Sequence, residues 1–470
     1  MTYLQDDSHL TLRWAEQFGR TFLFHGLFST TELHTTDIKA ITHVVSRPDI
    51  YQKSTAMRAS TEIIIGRGVL SVENEEHKRH VNRRALNPAF GVTQVRAVTE
   101  IFLEKAVQLR DAWADISTQA VVIGFNYQFE SLNGKCNDLD DALTDLLHSP
   151  HSIRYSAFRL AQGIVPILQF LPGPGQNLFR AARNKMFGIG KQIVNRSKAD
   201  IRASKGERAL GKSRDLLSTL LKANMSTNIP ESQRLNDIEI VAEISTFLFA
   251  GHETTSLATT WALHALSRHL GAQRKLREEL LTIPTDNPTM EELNSLPYLE
   301  AVVREVLRVH SPVVNTQRMA MQDDTLPLAT PYIDKEGNLH DSLPIPKGQR
   351  IYIPISAINT DKEIWGEDAR EFRPERWEKI PSSASAIPGV WANLLTFFAG
   401  PHNCIGFRFA LVEMKALLFT LIRAFEFEEA AKSGIRSFTV GLLQKPAVIG
   451  EARSSGLPLI VKLKPYNIQI

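Results

Sequence analysis

Apolar residues recur at helical spacing along most of the chain. From about residue 76 to 280 they follow one another at intervals of three and four, which predicts a series of amphipathic helices. Strand-like runs occur outside this region, at residues 21–28, 350–355 and 457–463. There is no internal repeat and no long Gly/Ser linker. We therefore expect one mainly α domain with small β-sheets, an α+β fold, over residues 1–470. It would have a β-rich portion to about residue 65, a helical core to about 320, and a mixed β region from 321 to 470.

One predicted helix is long enough to cross the whole domain. Asn236 can cap it, Glu239 completes a capping box, and the apolar pattern continues to about residue 269. Its middle, residues 250–255, reads Ala-Gly-His-Glu-Thr-Thr, which is a weak helix former. The Thr254 hydroxyl can bond back to the Ala250 carbonyl and bend the helix. An alcohol next to an acid suits proton transfer, but the same residues also fit an ordinary Ala-Gly packing face. The pattern alone leaves both interpretations open.

Composition narrows the class of protein. The chain has 54 basic and 51 acidic residues, a formal charge of +3, which argues against nucleic acid as the main partner. With only two cysteines, Cys136 and Cys404, a disulfide framework is not expected. No apolar run reaches the roughly 18 residues that a spanning helix needs. The nearest run, residues 163–171, is short and contains proline, so it could touch a membrane surface or lie in the core.

A second predicted helix opens at Pro297 and carries Glu305 and Arg308 three residues apart, close enough to pair. An isolated pair of this kind is usually an exposed ion pair. A third charged partner, Arg376 in the Phe-Arg-Pro-Glu-Arg-Trp run at residues 372–377, could convert it into a buried network.

The strongest chemical signal is the loop at residues 397–406, which precedes an amphipathic helix over 407–425. It reads Phe-Phe-Ala-Gly-Pro-His-Asn-Cys-Ile-Gly. The place of Cys404 just before a helix N-terminus predicts a lowered thiol pKa. A thiolate is a soft ligand for iron or zinc, but no Cys/His pair has zinc-finger or zinc-ribbon spacing. A single thiolate in a glycine-rich loop therefore favours a haem axial ligand.

Together these motifs resemble the cytochrome P-450 family, the haem-thiolate monooxygenases, in its microsomal-type fungal form. The resemblance rests on residues 250–255, Glu305 to Arg308, 372–377 and 397–406, in the family's order, and it covers residues 10–465. It implies a haem b between the long central helix and the helix after the cysteine loop, with Cys404 as the iron ligand. Thr254 and the acid Glu253 would deliver protons during the reduction of O2. Glu305, Arg308 and Arg376 would form a buried triad that braces the cysteine loop.

Haem propionate contacts depart from the family pattern. The residue two before the cysteine, usually Arg, is His402. Arg83 falls near the family's propionate-binding Arg, with a small insertion around residues 81–82, and Arg318 is another candidate. Phe397 would contact the haem from the cysteine loop. The predicted substrate-lining residues are Phe247, Ala250, Val313 and Val314. Because they are apolar, we expect a lipophilic small molecule such as a terpenoid, steroid or aromatic compound.

The resemblance also implies a separate NADPH-cytochrome reductase, because no dinucleotide-binding Gly-x-Gly-x-x-Gly motif follows a predicted strand. It implies the cytosolic face of the endoplasmic reticulum membrane, although the family's usual anchor segment is not found in this sequence. We expect hydroxylation or epoxidation, in fungal secondary metabolism. Two alternatives stay open: a haem-thiolate isomerase or dehydratase, and a helical protein that binds haem or lipophiles without turnover.

Overall fold

A computed structural model describes most of the chain. The described residues are 7–26, 30–82, 86–116, 121–124, 158, 176–203, 235–334, 336–440, 442–450 and 456–463. The predicted propionate ligand Arg83 and the apolar run at residues 163–171 lie outside these ranges. All structural statements below concern the described residues.

Helices make up the larger part of the described chain, as the helical spacing of apolar residues predicts. They are α1 (Asp7–Phe18), α2 (Ile38–Ser46), α3 (Thr55–Ile65), α4 (Asn74–Asn82), α5 (Leu86–Ala89), α6 (Val92–Ile116), α7 (Gln176–Ala203), α8 (Asp237–Arg268), α9 (Leu270–Leu280), α10 (Met290–Asn294), α11 (Pro297–Val309), α12 (Ile355–Asn359), α13 (Lys362–Trp365) and α14 (Phe407–Ala424). Short 3-10 helices lie at Pro374–Glu378, Ser382–Ala386 and Gly400–His402.

The predicted central helix is confirmed as α8. The Asn236 side chain accepts a hydrogen bond from the Glu239 N–H at 2.9 Å, and the Glu239 carboxylate accepts one from the Asn236 N–H at 2.8 Å, so the capping box is complete. Its 32 residues make a helix about 48 Å long. Most of its C-terminal half is buried, and it therefore serves as the scaffold against which other elements pack.

Five small sheets in the described part of the chain complete the α+β fold. The strands are β1 (Thr21–His25), β2 (Thr31–Thr35), β3 (Tyr51–Gln52), β4 (Val121–Gly124), β5 (Thr316–Ala320), β6 (Asp324–Ile333), β7 (Leu339–Ile345), β8 (Arg350–Ile353), β9 (Gly389–Trp391), β10 (Leu394–Ala399), β11 (Phe425–Glu429), β12 (Ile435–Val440), β13 (Leu443–Val448) and β14 (Gly456–Leu463). The largest sheet has the order β1-β2-β8-β5-β3. It pairs β2 with β8 in parallel, Leu33 opposite Ile351, and so joins the N-terminal portion to the last third of the chain.

The prediction of a β-rich portion to residue 65 is wrong. This portion holds helices of 12, 9 and 11 residues against strands of 5, 5 and 2. Side-chain caps stabilise two of these helices: Asp37 accepts from the Ala40 N–H and Ser54 from the Met57 N–H. The prediction rested on the apolar alternation at residues 21–28, but the strand there ends at His25.

The largest apolar core lies where α6, α8, α11 and α14 meet. Leu266 of α8, Val306 of α11 and Phe419 of α14 are among its fully buried members. A second core lies under the five-stranded sheet, around Ile351 and Trp365. Packing fixes α14, and with it the loop that precedes it, against the central helix.

None of the described helices combines the length and the apolar character that crossing a bilayer requires.

Candidate active site

The cysteine loop is held in a sharply bent conformation between β10 and α14. The Cys404 N–H donates to the Phe397 carbonyl at 2.8 Å, which closes the loop. Phe398 and Gly400 both have positive φ, 57° and 64°. A Cβ on Gly400 would lie 2.3 Å from the Val45 carbonyl oxygen, so only glycine fits there. The loop is therefore pressed directly onto the backbone of α2.

Cys404 keeps an exposed surface at the start of α14 and forms no disulfide. Protein atoms nevertheless crowd the thiol, and this burial raises its pKa to about 11, against the lowering effect of a hydrogen bond from the Gly406 backbone. The predicted lowering of the thiol pKa is thus wrong for the protein alone, because desolvation outweighs the helix N-terminus. A bound metal cation would supply the positive charge that favours the thiolate.

An open face of α8 lies in the same region as the loop. Gly251, in the middle of this otherwise well-packed helix, is exposed, and a Cβ there would meet nothing within 4 Å. Ile405 packs against the apolar cluster that contains Phe247. Phe90 links the two elements: its ring lies 5.1 Å from that of Phe247 and 3.5 Å from a Cβ built on Gly406. Open space beside Gly251 and an exposed Cys404 fit a flat, iron-containing ligand.

Cationic side chains gather beside the cysteine loop. We call Lys53, Arg58 and Arg318 the cationic cluster. Arg318 is 5% exposed, lies 4.6 Å above the Phe398 ring, and donates to the Thr316 hydroxyl and the Gln317 carbonyl. Burial lowers the pKa of Arg318 to about 10.

Among the residues that the structure describes, Glu73 is the one carboxylate that contacts the cationic cluster, at 3.2 Å from Lys53 Nζ. Within the same residues, the Arg58 Nε atom is buried without a hydrogen-bond partner. The cluster therefore has a surplus of positive charge in a partly desolvated place, which fits the two propionate carboxylates of a haem b. Sequence reasoning missed Lys53, Arg58 and Glu73, because no local pattern marks them.

His402 binds a protein carboxylate. Its Nε2 lies 2.9 Å from Glu73 Oε2, and its ring packs on that of His77 with 4.0 Å between centroids. Glu73 has a pKa of about 2: burial opposes this value, but hydrogen bonding to His402 and the charge of Lys53 outweigh burial. His402 thus lies next to the cationic cluster, and its Nε2 is already paired with Glu73. Phe397 lies behind the loop, with its ring 5.7 Å from Trp391 and 6.0 Å from Phe407.

The acid and the alcohol of α8 differ in their contacts. The Thr254 hydroxyl donates to the Ala250 carbonyl at 2.7 Å, the back-bond predicted from the sequence. Glu253 is 6% exposed and lies 3.4 Å from Lys445 Nζ of β13. Burial lowers the pKa of Lys445, and the charge of Glu253 opposes this shift. The lysine partner lies almost 200 residues away in the sequence, so sequence reasoning could not identify it.

The structure brings Glu305, Arg308 and Arg376 together in one buried network. Arg308 donates twice to Glu305, at 2.9 and 2.8 Å, and both side chains are fully buried. Arg376 donates to Glu305 at 3.3 Å and to Asp368 at 2.7 Å. Trp377 Nε1 and the Arg373 N–H donate to the same carboxylate, each at 3.0 Å. Both carboxylate oxygens of Glu305 therefore accept at least two hydrogen bonds each.

Asn359 joins this network to the strand before the cysteine loop. Arg308 donates to the Asn359 carbonyl at 3.0 Å. The Asn359 side chain accepts from the Leu395 N–H and donates to the Thr396 hydroxyl, at 3.0 and 2.9 Å. Thr396 donates in turn to the Leu307 carbonyl. The strand that carries Phe397 is thus tied to α11 by buried polar contacts.

The predicted substrate-lining residues fall into two groups. Phe247 and Ala250 share the face of α8 that carries Gly251 and Thr254, and all of these keep some exposed surface. Val313 is half-buried, whereas Val314 is 6% exposed. Val313 forms an isolated bridge with Leu443. Phe247, Ala250 and Val313 therefore keep accessible surface, whereas Val314 is enclosed.

Glu413 of α14 leads to a prediction of pH dependence. Burial raises its pKa from 4.5 to about 7, although a hydrogen bond from Thr255 of α8 opposes the shift. The folded protein thus binds this proton more tightly than the unfolded chain, so stability falls as the pH rises from 4.5 to about 7. The Glu413→Gln variant should match the wild type below this window and exceed its unfolding free energy above it, by about 1–3 kcal/mol.

Urea unfolding at several pH values would measure this difference. Glu278→Gln, at an exposed position of α9, is the matched control and should follow the wild type at every pH. A gap between Glu413→Gln and the wild type that stayed constant with pH would contradict the assigned titration.

Comparison with known proteins agrees with this geometry. The cytochrome P-450 family model matches residues 3–449. Cytochrome P-450 monooxygenase 128 of the fungus Postia placenta is 45% identical over 97% of this chain and 88% of its own length. Monooxygenase 205 of the same fungus is 43% identical over 99% and 90%. Monooxygenase claU of Ampulloclitocybe clavipes is 32% identical over 97% and 88%.

Proposed function

Because the chain belongs to the cytochrome P-450 family of haem monooxygenases, we propose that Cys404 is the thiolate ligand of the haem iron. We further propose that this enzyme inserts one oxygen atom of O2 into a lipophilic small molecule. The observation that carries the assignment is the exposed Cys404 at the start of α14, in the same region as the open face of α8 at Gly251.

The haem would be held by residues from both ends of the chain. Cys404 would bind the iron, and the cationic cluster with His402 would hold the propionates; the sequence adds Arg83 as a further propionate ligand. Phe397 supports the loop from behind. When bound, the haem iron supplies dioxygen activation, which thiolate donation promotes by favouring O–O cleavage. Glu305, Arg308 and Arg376 act at a distance, by fixing the strand that leads into the loop.

We assign proton delivery to Thr254, on the open face of α8, and to the neighbouring acid Glu253. Since the Thr254 proton points to the Ala250 carbonyl, the lone pairs of its hydroxyl oxygen remain free to accept from water in the open space. Glu253, paired with Lys445, is a buried acid within one residue of that alcohol. Thr254 thus provides an acceptor that orients water, next to the acid to which the proposal gives the proton-delivery role.

The substrate is apolar and is bound next to Phe247, Ala250 and Val313, with Val314 supporting them. We assign a terpenoid, steroid or aromatic compound of fungal secondary metabolism, hydroxylated or epoxidised. Electrons come from a separate NADPH-cytochrome reductase, an assignment supported by membership of a family that generally uses a redox partner. The enzyme works at the cytosolic face of the endoplasmic reticulum membrane.

A Thr254→Ala variant tests the proton assignment. Reconstituted with a fungal reductase, NADPH and a substrate found by screening, it should still consume NADPH. The product formed per NADPH should fall by about tenfold or more, because the hydroxyl that positions the proton-delivering water is lost, and hydrogen peroxide should rise correspondingly.

Thr259→Ala is the control for this measurement. Thr259 makes the same type of back-bond, to the Thr255 carbonyl at 3.0 Å, but is buried in the core. It should leave the ratio of product to NADPH unchanged. Intact coupling in Thr254→Ala would remove Thr254 from its role, and turnover without NADPH or O2 would identify an isomerase or dehydratase instead.

A further inference from the structure

A buried lysine of the β12–β13 hairpin reaches the middle of α8. Lys445 Nζ lies 3.4 Å from Glu253 Oε2, and the two side chains are 4% and 7% exposed. Glu253 directly precedes Thr254, whose hydroxyl bonds back to the Ala250 carbonyl. The ammonium group of Lys445 therefore lies beside the acid to which the proposed function gives proton delivery.

The strand that carries Lys445 is fixed to two neighbouring segments. The Gln444 carbonyl accepts a hydrogen bond from Trp261 Nε1 of α8 at 3.1 Å. The Gln444 N–H donates to the Pro312 carbonyl, just after α11, at 2.9 Å. Because the backbone is held on both sides immediately before Lys445, the position of its side chain relative to Glu253 is defined by the fold.

Burial gives this ammonium group a strong influence on the acid. A carboxyl group that leaves water loses the solvation of its ionised form, so an isolated buried acid keeps its proton. A positive charge 3.4 Å away offsets that loss and favours the carboxylate. A general acid works best when it can both release a proton and regain it. Lys445 thus supplies the charge that lets Glu253 release a proton although this side chain is buried.

Glu413 of α14 shows the effect of burial without a neighbouring cation. Its carboxyl group accepts a hydrogen bond from Thr255, and burial raises its pKa to about 7. Among the residues that the structure describes, no basic side chain pairs with Glu413. The two acids next to this turn of α8 therefore differ in one respect, which is the ammonium group beside Glu253.

We propose that Lys445 is a positioning residue for proton delivery, whose ammonium group keeps Glu253 in place and able to release its proton next to Thr254. This inference rests on the proposed function, because it concerns the acid assigned there. Lys445 acts through Glu253 and not on the reacting atoms. Without Lys445, the buried acid would keep its proton and would supply the water at Thr254 more slowly.

Infrared spectroscopy of the resting holoenzyme tests the charge of Glu253 without any turnover. Protein with ¹³C-labelled glutamate side chains is measured at neutral pH. Relative to the wild type, Glu253→Gln should lose the band of an ionised carboxylate. Lys445→Met should gain a protonated-carboxyl band, and the double variant Lys445→Met/Glu253→Gln should lack it. Glu413 contributes equally to all of these spectra and cancels in the differences.

Two infrared results would overturn the proposal: loss of a protonated carboxyl band in Glu253→Gln, or no new band in Lys445→Met. The first comparison leaves Lys445 in place, so it is decisive even where Lys445→Met loses its haem. No new band in Lys445→Met combined with uncoupling in Thr254→Ala would remove Lys445 and keep the proposed function. Full coupling in Thr254→Ala would remove the proton role of Thr254, whatever the infrared spectra show.

Turnover then measures proton delivery. With reductase, NADPH and the same substrate, Lys445→Met should form about threefold less product per NADPH, or lower still, because the acid is weaker. Its product formation should also slow more in D2O than that of the wild type.

Lys415→Met is the matched control for turnover. Lys415 of α14 is also 4% exposed and pairs with Glu300 at 2.6 Å, so the substitution breaks a comparable buried ion pair. It should leave the ratio of product to NADPH and the effect of D2O unchanged. Equal changes in the two lysine variants would give Lys445 a purely structural role and overturn the proposal.

Discussion

We expect the Cys404→Ser variant to lose completely the strongly red-shifted Soret band of the reduced, carbon monoxide-bound protein. The shift requires electron donation from a thiolate, and a serine hydroxyl is a far weaker donor. The raised pKa of the Cys404 thiol in the protein alone adds a second expectation. Haem binding should release a proton at neutral pH, because the thiolate forms only when the iron is bound.

The two cysteines provide a matched pair for this measurement. Cys136→Ser makes the same chemical change at a position outside the described residues and should keep the red-shifted band. Absorption spectra after dithionite reduction under carbon monoxide would give the result. A red-shifted band in Cys404→Ser, or its absence from the wild type, would rule out Cys404 as the axial ligand.

A Glu305→Gln substitution should destabilise the protein by about 3–5 kcal/mol, the usual cost of stranding a buried charge. Glu305 accepts from Arg308, Arg376, Trp377 and the Arg373 N–H. The amide would leave Arg308 without its carboxylate and would direct an NH2 group towards a guanidinium. Arg376 keeps Asp368, so most of the cost falls on Arg308. Such a loss is a large share of the roughly 5–15 kcal/mol that stabilises a typical domain.

Haem content should fall together with stability, because the network is tied to the strand that carries Phe397. Urea unfolding followed by circular dichroism, with haem quantified in the same samples, would measure both effects. Glu278→Gln, an exposed Glu of α9, should stay within about 0.5 kcal/mol of the wild type. Wild-type stability in Glu305→Gln would mean that the network does not brace the loop.

Local signals predicted the parts of the site that lie within one element. The capping box at Asn236, the back-bond of Thr254 and the i,i+3 pair of Glu305 and Arg308 each depend on residues at most four positions apart. Their geometry follows from the helix itself. The order of the motifs then identified the family and the α+β fold.

Contacts between distant segments could not be predicted in this way. Lys445 reaches Glu253 from a hairpin near the C-terminus, and Glu73 reaches His402 from the start of α4. Such pairs depend on tertiary packing, which leaves no periodic signal in a single sequence. The prediction of a lowered pKa for the Cys404 thiol was wrong for a related reason. The place of Cys404 before a helix is visible in the sequence, but the protein atoms that crowd its thiol are not.

Arg308 forms its hydrogen bonds to the segment before the Phe-Arg-Pro-Glu-Arg-Trp run with main-chain oxygens. Its guanidinium donates to the carbonyls of Asn359, Ala369 and Glu371. Every amino acid supplies a carbonyl, so this anchoring places little restriction on the identity of the exposed residue 371. Ala369 is fully buried in the second core, so that position is restricted to a small side chain. A library randomised at position 371 alone should contain many folded sequences.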